Sequence, residues 1–294
     1  MAGRRVYPAT ALALAALAAP APALAGPALS AAEDAAIAAC GATFAAASPD
    51  APAAAAIPAP ATLCLNGKLA SGTGAQLATQ LRALPAAPII VIRSPGGEVE
   101  AAMELAEAVH DRHATVIAVD LCFSSCANYL LAAGRRRIVA PGTLLAFHGG
   151  VPQPDRERLA SELRAVGESD PALLDTFLDY ATRTRARQDR LLATLGIAPD
   201  LFDWMDRFNA LLAERQQALC AGDAGGWVLS PPLLARLGYR MDLYAGPMGA
   251  AMLGQALADR GRPADALCYI DEAALAVWPL AQPLGAAPPE SSSP

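Results

Sequence analysis

The sequence predicts an α/β fold: a mainly parallel sheet built from βαβ units, with added helices. Three observations carry this. The runs at 88–92 and 115–119 are β-branched and continuously apolar, as in strands covered on both faces. Between them, apolar residues at 99, 102, 103, 106 and 109 mark one face of a helix. Turn signals such as Asn66-Gly67, Pro95-Gly96-Gly97 and Pro141-Gly142 close the strands at short intervals. Strand and helix alternating at this spacing imply parallel pairing.

Each segment follows in order. Arg4 and Arg5, the apolar run 11–19 and the small-residue pattern Ala23-Leu24-Ala25 read as a signal peptide over 1–25, with Gly26 the first mature residue. An uncleaved anchor is the alternative, and Pro20 and Pro22 argue against it by interrupting the helix. Residues 26–60 form an Ala/Pro-rich N-terminal segment with one short helix at 31–44, and the folded domain is expected from 61 to 245. Within it, 62–65 reads as a strand, 72–84 as a helix, 88–92 as a strand, 99–109 as a helix and 115–119 as a strand. A helix opening at Ser124 or Ser125 runs through Leu131 to a stop at Gly134. Further strands are expected at 138–139 and 143–147. Residues 152–221 then mix charged and apolar positions at helical spacing, a helical insertion beside the sheet. A strand at 227–230 and a helix at 231–237 close the domain. Residues 246–284 are a C-terminal helical extension, and the Gly/Ala/Pro/Glu/Ser tail 285–294 is expected to be disordered.

Composition excludes several functions. The net charge is −6, and the one compact basic cluster, Arg135-Arg136-Arg137, reads as a solvated turn, so no nucleic-acid partner is expected. No later segment has eighteen uncharged apolar residues, so the mature chain should be soluble, periplasmic or secreted. Six cysteines in an exported chain suit disulfides. Fifteen connectivities exist, and proximity alone suggests Cys40–Cys64, Cys122–Cys126 and Cys220–Cys268. No metal or other cofactor is expected, because Cys122 and Cys126 have no further ligands at close spacing.

The chemistry-bearing residues gather at strand ends, where α/β sheets place their sites. Ser125 follows a strand and opens a helix, where backbone N–H groups favour developing negative charge. Ser124 is its rival on the same turn, and either serine also suits a plain helix cap. His148 ends the run Leu144-Leu145-Ala146-Phe147 and is one of only three histidines. Adjacent parallel strands would bring Ser125 and His148 to one sheet edge, within general-base reach. Gly96 and Gly97 would aim main-chain amides at an oxyanion, with the amide of Cys126 as the second donor.

Together these residues resemble the Clp protease proteolytic subunits of the ClpP/crotonase superfamily, over roughly 62–148 and again over 227–242. Ile92-Arg93-Ser94-Pro95-Gly96-Gly97 is similar to that family's strand and glycine turn. Ser125 followed by Cys-Ala-Asn-Tyr-Leu-Leu-Ala-Ala-Gly134 is similar to its nucleophile helix. Arg137 and Pro141 precede His148, and Ser230-Pro-Pro-Leu-Leu-Ala-Arg-Leu-Gly238 resembles its late helix. The resemblance implies a ClpP/crotonase-like spiral and a serine hydrolase, a peptidase acting on a peptide or protein. Ser125 would be nucleophile, His148 base, and Gly97 and Cys126 the oxyanion donors. The sequence departs from the pattern where the family's catalytic aspartate should stand. Gly226 occupies that place, and Asp223 is the nearest carboxylate. Export also separates the chain from any cytosolic ATPase partner, while a homo-oligomer stays open. A catalytically inactive binding or assembly module is the alternative. A Ser-Lys dyad is disfavoured, since Lys68 is the only lysine and follows the first strand's turn.

Overall fold

A computed structural model describes residues 28–198, 201–203 and 225–273. The expected signal peptide, Asp223, Cys220 and the tail lie outside the described residues. The described chain is α/β with a mostly parallel mixed sheet and added helices. Its seven-stranded sheet runs β1 (Ala54–Ala59), β2 (Thr62–Asn66), β3 (Ile89–Ser94), β4 (Thr115–Phe123), β5 (Arg136–Val139) and β8 (Leu243–Tyr244), with β6 (Leu144–Ala146) also on β4. Only β1 pairs antiparallel. β5 and β6 pair with successive lengths of β4, Thr115 to Ala118 and then Leu121 to Phe123. Asp120 lies between the two lengths with φ of 57°, and the β3–β4 register shifts over the same stretch. That irregularity lets β4 run on to the serine turn with Cys122 opposite Ser94.

Alternate residues of the central strands face opposite layers, as strand geometry requires. Leu63, Leu65, Ile90, Ile92 and Val116 pack under α2 (Thr73–Ala83) and α3 (Val99–Asp111). Cys64, Val91, Ile117 and Ile138 face α1 (Ala31–Ala46) on the other side. The helices α4 (Arg156–Ala165) and α5 (Pro171–Thr194) fall within the expected insertion. A second, two-stranded parallel sheet joins β7 (Trp227–Leu229) to β9 (Cys268–Ile270). Two short helices, α6 (Pro231–Arg236) and α7 (Ala250–Ala258), flank β8, and a π-helical turn, Cys126–Leu131, follows β4.

The Ala/Pro-rich N-terminal segment is more than a linker, so the folded body begins before residue 61. β1 pairs with β2, and α1 is bound to β2 by the Cys40–Cys64 disulfide. A capping box of Ser30 and Glu33 starts α1. The buried Glu33 also receives Arg136 at 2.6 Å. Burial raises the Glu33 pKa, but hydrogen bonds from Arg136 and Ser30 outweigh it and hold the carboxyl below 4.5. The arginine cluster is therefore not a plain solvated turn: Arg136 pins α1, and Arg137 lies over the Tyr239 ring at 5.6 Å.

Two of the suggested disulfides, Cys40–Cys64 and Cys122–Cys126, are present. Cys268 is also disulfide-bonded, while its suggested partner Cys220 lies outside the described residues. A cross-link restricts the unfolded chain more when it closes a longer loop. Replacing both members of Cys40–Cys64, a loop of 24 positions, by alanine should cost about 3.5 kcal/mol, against about 2 kcal/mol for Cys122 and Cys126, a loop of 4. Urea unfolding of the two double variants checks the order, and a larger loss from the second pair would refute it.

Candidate functional site

The glycine turn, the serine turn and the histidine meet at one end of the central strands. Residues Lys68, Pro95, Gly97, Ser124, Ser125 and His148 line a single cleft of about 770 Å³. Asp50 and Glu98 add carboxylates to the same wall.

The glycine turn is fixed by Ser94 at the end of β3. Its hydroxyl donates to the Gly67 carbonyl at 2.6 Å and accepts from the Gly96 N–H at 3.0 Å. Gly96 then lies directly beneath the Ser124–Ser125 turn, where a Cβ would come within 2.7 Å of the Ser125 nitrogen. Gly97 has φ of 136°, and a Cβ there would lie 2.1 Å from the Leu69 carbonyl oxygen. No side chain fits at that contact, so glycine is obligatory. Leu69 bonds to the turn on both sides, donating to Gly96 and accepting from Glu98. Between these bonds the Gly97 N–H has no acceptor among the described residues.

The serine turn is strained. Ser124 is left-handed at φ of 56°, a conformation costing a non-glycine residue about 1–2 kcal/mol. It reverses the chain from β4 into the helix Cys126–Leu131, which has π geometry. Such widened turns recur at functional sites. Cys122 and Cys126 bridge the two ends of the reversal, both fully buried. Ser125 is 2% exposed and Ser124 8%. The Ser125 hydroxyl donates to the Gly97 carbonyl at 2.7 Å. The Cys126 N–H, at the start of the helix, has no acceptor among the described residues.

His148 follows β6 and is exposed along one side. Its ring meets the Phe123 ring edge-on, with centroids 5.0 Å apart. Partial burial lowers its pKa from the ordinary histidine value. No hydrogen bond joins His148 to Ser125 among the described residues. They share the cleft, but the serine proton is held by Gly97.

Gly226, where the resemblance expects a carboxylate, has no room for one. A Cβ there would lie 2.6 Å from Cε2 of Phe123 and 2.7 Å from the Phe147 carbonyl oxygen. Among the described residues, no group of three or more His, Cys, Asp or Glu side chains is arranged to hold a metal ion.

Lys68, disfavoured by sequence as a dyad partner, lines the cleft. Two further residues of this region have no place in the sequence reading. Asn128 and Gln188 are buried beside the histidine loop. The signal for Asn128 was available: it is the one amide side chain between Cys126 and Leu131. No family model matches the chain, and no curated protein matches it.

Proposed function

We propose that the chain is an exported serine hydrolase, a peptidase by its resemblance to Clp proteolytic subunits, with Ser125 as nucleophile and His148 as general base. The observation that carries the reading is the shared cleft. Its lining includes the Ser125 hydroxyl, the His148 imidazole and Gly97, whose N–H has no acceptor among the described residues, and the buried Cys126 N–H, likewise without one, opens the helix that follows Ser125. The two disulfides suit an oxidising compartment, and no described helix is long and apolar enough to cross a membrane.

In this scheme the Ser125 hydroxyl turns from the Gly97 carbonyl to the imidazole. Its oxygen bonds to the substrate carbonyl carbon as His148 takes the proton, and the N–H groups of Gly97 and Cys126 hold the oxyanion. Collapse breaks the scissile bond, and His148 returns the proton to the leaving amine. Water then hydrolyses the acyl-enzyme with His148 again as base.

The second reading, an inactive binding or assembly module, draws on two specific observations. The serine proton is already bonded to Gly97, and no carboxylate fits at Gly226. A fluorophosphonate probe with mapping of the modified peptide separates the two. The enzyme reading expects label on Ser125. Its rate should rise with pH through a midpoint below 6.5, because burial disfavours the imidazolium and only neutral His148 accepts the proton. Absence of label from pH 5 to 9 selects the module, and a labelling rate left unchanged in His148→Ala removes His148 as the base.

A further inference from the structure

We propose that Asn128 is a positioning residue that fixes His148 against Ser125, the task a carboxylate performs in a triad; this rests on the reading of Ser125 and His148 above. The histidine is gripped through its neighbours on both sides. Before it, Phe147 exchanges two main-chain hydrogen bonds with Trp227, each of 2.7 Å. After it, the Gly149 carbonyl accepts from the Asn128 side-chain amide at 2.7 Å. Asn128 stands three residues beyond Ser125 on the same π-helical turn. One amide thus ties the nucleophile's helix directly to the histidine's loop.

A second tie runs parallel to the first. The Gln188 carbonyl oxygen accepts from the Val151 N–H at 2.8 Å and from the Tyr129 hydroxyl at 2.6 Å. Tyr129 is the next residue after Asn128, so residues 149 and 151 are both anchored to one short stretch of helix. Gln188 comes from α5, within the insertion, and is fully buried. With no carboxylate possible at Gly226, these ties on the flanking backbone and the Phe123 ring contact are what seat His148 among the described residues.

The state of Asn128 supports a purpose for its donor. The residue is 3% exposed, and its Oδ1 is buried without a partner. An orphaned buried acceptor is destabilising, and leucine of similar volume would remove it. The amide's N–H to Gly149 is the one interaction leucine could not supply.

Asn128→Leu is the test, with fold checked by melting temperature. The three histidines allow His148 to be followed by imidazole NMR in the intact protein. The groups facing it across the cleft are Lys68, Asp50, Glu98 and the two serines, all left in place. Leucine removes the orphaned Oδ1 but takes the donor from the buried Gly149 carbonyl, so the variant should melt within a few degrees of the parent, while fluorophosphonate labelling slows about ten- to a hundredfold from loss of alignment. Freed from its anchor, the ring gains water, and the His148 titration moves up toward 6.5. Labelling within twofold of the parent in a folded variant overturns the proposal. So does slowed labelling with an unmoved His148 titration, which marks general packing of the helix. If the parent itself takes no label, the hydrolase reading fails separately and the His148 titration alone decides Asn128. Should the leucine variant not fold, Asn128→Ala carries the same two readouts.

Discussion

Ser125→Ala is expected to abolish fluorophosphonate labelling and to lower turnover of an activated ester by about 10⁴- to 10⁶-fold. The size follows from the site's economy of groups. Without Ser125 the cleft keeps its amides and its imidazole but has no hydroxyl in the position that faces Gly97. The rival on the same turn behaves differently. Ser124 holds a left-handed conformation that suits glycine, so Ser124→Gly relieves strain of about 1–2 kcal/mol. The freer unfolded chain offsets about 0.4–1 kcal/mol of that. The glycine variant should therefore melt at or slightly above the parent temperature and still take the label at Ser125. The reverse result, label retained in Ser125→Ala and lost in Ser124→Gly, would transfer the nucleophile to Ser124. The greater exposure of Ser124, 8% against 2%, makes the comparison a real contest. Mass mapping of the labelled peptide settles it within one digest.

The strands that carry this site were legible because their physics is local. Both faces of β3 and β4 are covered, so their sequences are apolar without alternation; the run at 88–92 starts one residue before Ile89–Ser94, and that at 115–119 falls inside Thr115–Phe123. The Ser94-Pro95-Gly96-Gly97 turn was legible for a like reason: Gly97 approaches a carbonyl too closely for any Cβ. What escaped depends on distant partners. The strand Ala54–Ala59 is built from alanine, isoleucine and proline with no periodicity, and it exists because β2 offers an edge and Cys64 holds α1 beside it. β8 and β9 are two and three residues long, too short for a pattern to register. The candidate site shows the same division. Ser125, His148 and the glycines announce themselves by type and by position at strand ends. Asn128 is visible as an amide in an otherwise apolar turn, but its partner, like that of Gln188, is a backbone group 21 or 37 positions away, which no local spacing reveals.

Rebuilding a carboxylate at the place the family resemblance indicates should fail, and by a large margin. In Gly226→Asp the new Cβ meets the Phe123 ring at 2.6 Å and the Phe147 carbonyl oxygen at 2.7 Å. The ring can swing, but the carbonyl cannot, because it accepts the Trp227 N–H in the bridge that seats His148. Overpacking of this kind costs about 1–3 kcal/mol. Burying a polar group without a partner adds about 1–3 kcal/mol more by mutational measures. The sum, about 2–6 kcal/mol, is a large part of the 5–15 kcal/mol that holds a typical domain folded. The variant should melt many degrees lower, and its labelling should fall rather than rise, since the Phe147–Trp227 bridge and the Phe123 packing of His148 are lost together. Gly226→Ala isolates the steric part: the Cβ alone should account for about half of the loss in melting temperature. A Gly226→Asp protein that melts near the parent and labels faster would show that the Phe123 and Phe147 wall is soft. The imidazole would then have lacked a carboxylate that this cleft can accept, and the case for an inactive module in the parent chain would rest on that missing group.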